Sequence, residues 1–440
     1  MKLRIDHALG AAALLVSTPA FAALSKSEQT MIATVDSEQQ RTLSMLERWV
    51  DQNSGTMNKA GVEAVRDMVE PEFKKLGFAT QWIDMSSAGR AGHLVARHIG
   101  KRGGKRLLLI GHLDTVFELD SPFQRWTRDG DRAHGPGSGD DKGGDAVIVA
   151  ALRAMQAAGT LKNANITVFL TGDEEDAGSP LAISRRDLVA EGRNADVALD
   201  FEDLAVEDGP SGPMDMGSIA RRSAGSWTLT VTGHSAHSAG WGGPGVGFGA
   251  IYELSRIIDE FRSQLPEDKL TYNVGLVGGG QTATLDSGKI RLEATGKTNI
   301  VAPTAVARGD LRAISQDQID RVETKMRAIV GQSLPGTKAQ ISFDADSYPP
   351  MPPTEGNRAI LVELNGVNRD MRLPEMGELD ASKRGAGDIS FVAAEVNGLA
   401  GMGPSSSGSH TASEMVDIPS IFKQAKRAAI LMSRLSAEHR

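Results

Sequence analysis

Three clusters of histidine and carboxylate side chains each follow a short apolar run, an arrangement suited to holding a cation. Residues 106–110 lead into Gly111-His112-Leu113-Asp114, residues 166–170 into Gly172-Asp173-Glu174-Glu175, and residues 197–199 into Asp200-Phe201-Glu202. Each run reads as a buried strand, and open α/β sheets place ligands just beyond the C-terminal ends of their strands. One such cluster proves little, whereas several delivered to one rim are better explained by a shared cation. The chain contains no cysteine. Any metal must therefore be held by His, Asp and Glu.

The individual motifs suit different parts of such a site. In His112-x-Asp114 the carboxylate can fix the imidazole's tautomer and orientation, although the triplet alone also fits a surface loop with a hydrogen-bonded histidine. Gly135-Pro136-Gly137-Ser138-Gly139-Asp140-Asp141-Lys142-Gly143-Gly144 is a glycine-dense loop that opens a helix. No complete phosphate-binding glycine pattern occurs there, and paired aspartates repel phosphate, so the loop reads as backbone bent around a carboxylate ligand. Adjacent Glu174 and Glu175 face opposite ways in an extended segment, so one can ligate metal while the other acts as general base. An acidic helix start would equally account for that dipeptide taken alone. His410 lies in a serine-rich, helix-starting loop, residues 405–414, and by itself says little.

The elements that must position these groups alternate between strand and helix. Helices are expected between residues 37 and 76, from the spacing of Met45, Leu46 and Trp49 and then of Val62, Val65, Met68 and Val69. Residues 93–99 and 106–110 read as two strands joined by a charged hairpin turn at 100–105, residues 146–158 as a helix, and residues 166–170 and 197–201 as buried strands. This implies an α/β domain with a mixed, largely parallel sheet flanked by helices. Between about 222 and 346 the pattern becomes half-exposed strands (226–232, 305–313, 339–343) around helices 251–261 and 316–330, an inserted α+β domain. Pro349, Pro350, Pro352 and Pro353 mark the return to the first domain, which resumes over 347–440 and ends in a helix at 421–435.

At 440 residues and a formal net charge of −8, the chain has room for two domains and no electrostatic basis for wrapping nucleic acid. Residues 1–22 read as a cleavable signal peptide: Lys2 and Arg4, an apolar run over 8–16, and Ala20-Phe21-Ala22. The apolar run is too short to span a bilayer. A secreted or periplasmic mature chain beginning near Ala23, with no membrane association, is therefore expected.

Taken in order, His112-Leu-Asp114-Thr-Val, Gly137-x-x-Asp140-Asp141-Lys142-Gly143-Gly144, Asp173-Glu174-Glu175-x-x-Gly178-Ser179, Leu199-Asp-Phe-Glu202 and His410-x-x-x-Glu414 resemble a known series. It is that of the co-catalytic two-zinc metallopeptidases: glutamate carboxypeptidases, aminoacylases, dipeptidases and succinyl-diaminopimelate desuccinylases. The resemblance covers essentially the whole chain after residue 22 and is nearest to the glutamate carboxypeptidase branch.

It implies two Zn2+ per chain, bridged by Asp140, with a cis peptide to Asp141; other divalent ions are possible. His112 and Glu202 would hold one ion, Glu175 and His410 the other, and Glu174 would be the general base beside Asp114. Asp200 competes with Glu202 for the ligand position, since two residues apart they share a strand face; the Phe-Glu register favours Glu202. In the inserted domain, which the resemblance makes a lid and homodimer contact, His237 matches the histidine that stabilises the tetrahedral intermediate. Arg312 and Asn299 match substrate-binding positions, as do Gly385 and Gly387, with Ala386 where a third glycine is common. The implied activity is hydrolysis of an amide bond to an amino acid with a free carboxylate, from a small peptide or N-acyl amino acid. An aminoacylase or dipeptidase is the nearest alternative. A serine hydrolase lacks its nucleophile elbow here, and a two-lobed binding protein would need no paired Glu174 and Glu175.

Overall fold

The computed structural model describes residues 24–101, 103–210 and 212–440, so the signal segment expected at 1–22 lies outside the described residues. Six strands form a central sheet in the order Ala79–Asp84, Gly92–His98, Asn165–Thr171, Arg106–His112, Val197–Asp200, Gly398–Leu399. The last four run parallel, Gly92–His98 runs against them, and Ala79–Asp84 turns back along the edge. The sheet is mixed and largely parallel, as the alternation of strand and helix implied.

Its central strand explains why the apolar runs are unbroken. Leu107 and Leu109 enter a core shared with helices Lys142–Ala157 and Ile418–Leu435, whereas Leu108 and Ile110 enter a second core with Phe169, Leu188, Ile389 and Val392. A strand covered on both faces has no place for polar alternation. Helix Gln39–Asp51 buries Met45, Leu46 and Trp49, and helix Lys59–Lys75 buries Val62, Val65 and Val69, but Met68 points out of that face and is exposed.

The expected hairpin between residues 93–99 and 106–110 does not form. Asn165–Thr171 lies between the two strands and pairs with both, while the backbone N–H groups of Gly100 and Lys101 bond to Asn165 and Lys162. A charged turn between two apolar runs signals a reversal of the chain, and it carries no information about a third strand arriving later.

The inserted unit has its own four-stranded antiparallel sheet, ordered Thr271–Gly280, Thr304–Arg312, Gly225–Gly233, Thr337–Phe343. Helices Ala250–Gln264 and Gln316–Val330 pack on one face, closing a separate core around Trp227, Leu229, Ile257, Phe261 and Met326. Thr271–Gly280 was not foreseen. Four of its ten residues are glycine and a register shift interrupts it at Val274, features that weaken a strand pattern in sequence. Among the described residues no helix is long and apolar enough to cross a membrane.

Candidate metal centre

Three adjacent parallel strands, Asn165–Thr171, Arg106–His112 and Val197–Asp200, end on one rim, so the three predicted clusters meet there. His112 Nδ1 lies 3.1 Å from the Asp114 carbonyl oxygen and 3.4 Å from its Oδ1, which leaves Nε2 to face the rim. Fully buried Asp114 also accepts the Thr56 hydroxyl at 2.6 Å and the backbone N–H groups of Glu174 and Glu175 at 3.0 and 3.2 Å. One carboxylate thus fixes both the imidazole and the Glu174-Glu175 loop.

The glycine-dense loop brings Asp140 across this rim. Gly137 has φ 77°, a backbone setting that favours glycine, and the Asp140–Asp141 peptide is cis. Buried Glu414 receives the backbone N–H groups of Gly139 and Asp140 at 3.1 and 3.4 Å. His112 Nε2 stands 3.1 Å from Asp140 Oδ1, and His410 Nε2 stands 3.3 Å from Asp140 Oδ2 and 3.1 Å from Glu175 Oε2. His112, Asp140 and Glu175 each offer one ligand atom within 4.8 Å of the others. His410 adopts φ 65°, a setting uncommon for a non-glycine residue. Its loop does not open the last helix as expected; it leads into strand Met415–Asp417, and Asp417 caps the helix.

The charges at the rim are closely coupled. Hydrogen bonds to Asp140 and then Glu175 push His410 up to about 11. Burial raises Asp140, but the two histidines outweigh it and hold that carboxyl far below its usual range. On the far side, Arg221 Nη1 donates to Glu202 Oε2 at 2.5 Å and to Asp200 Oδ2 at 3.1 Å. Each of these carboxylates keeps one buried oxygen without a partner, Glu202 Oε1 and Asp200 Oδ1. A Cβ on Gly387 would come within 2.5 Å of Glu202 Oε1, so only glycine leaves room there. Unpaired buried anionic oxygens are costly. With histidine and carboxylate donors and no thiolate, the set fits zinc or another divalent cation.

In the Glu174-Glu175 loop Glu175 turns to His410, while Glu174 has burial, and then the charge of Glu202, raising its carboxyl well above the ordinary range. Sequence reasoning passed over the groups that brace this loop. Arg185, 2% exposed, donates to Asp173 Oδ1 at 2.6 Å and Asp388 Oδ1 at 2.8 Å, and Thr171 donates to Asp388 Oδ2 at 2.5 Å. Nothing in the sequence around Arg185 marked it as buried, since isolated charges usually lie outside. Arg185→Met, which strands two buried carboxylates, is expected to cost about 3–5 kcal/mol, read as a lower urea midpoint at unchanged slope.

The structure does not bring the inserted unit's residues into the cluster. His237 is exposed and accepts the Ala239 N–H at its own Nδ1, and the Asn299 carbonyl accepts from Ser238 next to it. Arg312 is nearer: its Nη1 lies 3.4 Å from where a Gly385 Cβ would stand, and its Nε donates to Asp310. Gly385 and Ala386 offer their carbonyls to Arg221 at 2.8 and 3.0 Å. The loop from Gly385 to Gly387 therefore links Arg312 to the Glu202 side of the rim.

The model of "Peptidase family M20/M25/M40" matches residues 108–434. Carboxypeptidase G2 of Pseudomonas sp. (strain RS-16) is 26% identical over 452 residues, covering 99% of this chain and 100% of that one. A tripeptidase from Staphylococcus aureus has the same fold, with a TM-score of 0.70 at 18% identity over 91% of this chain and 99% of its own. A dinuclear metal binding peptidase from Bacillus subtilis superposes with a TM-score of 0.61 at 12% identity, over 91% and 98%. The family match spans the three strand-end clusters, the glycine loop and His410, and the chain belongs to peptidase family M20/M25/M40 as a hydrolytic metallopeptidase.

Proposed function

We propose that this peptidase uses two zinc ions to hydrolyse the amide bond to an amino acid with a free carboxylate, in the manner of a glutamate carboxypeptidase. The observation that carries the reading is Arg312, whose guanidinium sits against Gly385 on the Glu202 side of the rim. A guanidinium fork matches a carboxylate in charge and shape, and the full-length likeness to a carboxypeptidase supports the same polarity. Asp140, His112, Glu202, Glu175 and His410 would hold the ions. Bound there, they would supply Lewis acidity and make water acidic enough to attack near neutral pH.

The chain's own groups do the rest. Asp114 orients His112, Glu174 takes the proton of the attacking water at its carboxylate and returns it to the leaving amine, and Arg312 with Asn299 holds the substrate's carboxylate. His237 donates to the developing oxyanion once the inserted unit approaches. We extend the proposal to export directed by residues 1–22 and to dimerisation through the inserted unit, to be read by N-terminal sequencing of the exported protein and by sedimentation.

Release of amino acid from a panel of acyl-amino acids and dipeptides, varied at both ends, tests the activity. Free C-terminal carboxylates are expected to be required; equal turnover of the C-terminal amides would overturn the reading. Arg312→Ala is expected to lower kcat/KM by about 10- to 100-fold, the worth of a charged hydrogen bond, through KM and only for substrates bearing that carboxylate.

A further inference from the structure

Two strands join the units, and each carries a side chain gripped by a different half of the metal centre. The outgoing strand pairs with the returning one at Arg221 with Met351 and at Ala224 with Tyr348. Arg221 and Met351 exchange backbone hydrogen bonds of 2.9 Å each, and Ala224 and Tyr348 exchange bonds of 3.1 and 2.9 Å. The two chain crossings are therefore tied to each other by two antiparallel bridges.

Arg221, buried at 6% exposure, holds Glu202, Asp200 and the carbonyls of Gly385 and Ala386. The Tyr348 hydroxyl donates to the Glu174 carbonyl at 2.8 Å, and its ring packs edge-on against Phe391 at 4.8 Å. Two residues earlier, Asp346 receives the Ser179 hydroxyl at 2.6 Å and the Leu181 N–H at 3.1 Å. His237 and Asn299 meanwhile lie exposed on the inserted unit, His237 accepting only the neighbouring Ala239 N–H among its described hydrogen bonds.

We propose that Arg221 and Tyr348 are paired positioning residues at the crossing between the units, Arg221 setting the pose of Glu202 and Tyr348 that of the Glu174 backbone. The inference rests on the roles proposed above for Glu202 and Glu174. It makes the two halves separable. Arg221→Lys is expected to weaken one of the two zinc ions by about 10- to 100-fold, as loss of a ligand's partner does, read by competition with a chromophoric chelator. Tyr348→Phe is expected to bind both ions as wild type and to lower kcat by about 10- to 100-fold, the cost of slight misplacement, at unchanged KM.

A purely structural role would lower the unfolding temperature and leave zinc affinity and kcat per folded site unchanged, and that result would overturn the proposal. Should Arg221→Lys fail to fold, Gly387→Ala dislodges Arg221 and Glu202 without removing a charge, and the same zinc ion should weaken. Wild-type affinity for both ions in Gly387→Ala would sink the Arg221 half. Glu174→Gln separates the two levels: if it is inactive while Tyr348→Phe is normal, the Tyr348 half fails and the base stands. If Glu174→Gln is fully active, the base reading fails, and the zinc affinity of Arg221→Lys still decides the Arg221 half.

Discussion

Glu174→Gln is expected to lower kcat by about 10²- to 10⁴-fold, the usual contribution of a positioned acid or base, with KM and bound metal unchanged. The substitution keeps the shape of the side chain and removes only its capacity to hold a proton. Its backbone N–H still meets Asp114 at 3.0 Å and its carbonyl still receives Tyr348. Loss of metal from the variant would instead make Glu174 a ligand, and the division of labour with Glu175 would be wrong. Burial, with Glu202 nearby, favours the protonated form of Glu174, which suits a group that must accept a proton from water and then give it up. Since the carboxylate form is the working base, activity should fall as pH is lowered, and the residual activity of Glu174→Gln should lack that dependence.

How much of this was legible in the sequence depended on the kind of signal. Strand ends were readable because Leu107 to Ile110 are apolar on both faces and the ligating types follow directly. The order of strands was not: Asn165–Thr171 intrudes between Gly92–His98 and Arg106–His112, and pairing across some 60 residues leaves no local trace. Ligand candidates stood out as histidines and carboxylates at strand ends, whereas Arg221 and Arg185 were invisible because burial of a charge is decided by partners distant in sequence. Glu414 lay inside a quoted motif, yet its bonds to Gly139 and Asp140 needed the three-dimensional loop. His237 shows the reverse case: its motif was readable, whereas its exposed setting beside Ala239 was not.

Exhaustive chelation is expected to abolish turnover, with recovery on adding zinc, and to lower the unfolding temperature without loss of helix. The helices are held by the apolar core beneath the sheet, which contains no ligand. The rim loops are not, since they carry Asp140, Glu175, Glu202 and the unpaired oxygens of Asp200 and Asp141. A ligand at 100 times its Kd stabilises by about 2.7 kcal/mol per site, so refilling should move the transition by several degrees. The effect should also depend on pH in the metal-free protein. Burial, and then the charge of Asp140, raises Glu414 to about 8 from 4.5, so the folded state binds more protons than the unfolded chain between those values. Its stability is therefore lost as pH rises through that window, by at most about 1.4 kcal/mol per unit for one group. Zinc should accordingly rescue more at pH 8 than at pH 5. A chelated protein, shown to be free of metal, that kept its turnover would overturn both the cation site and the mechanism built on it.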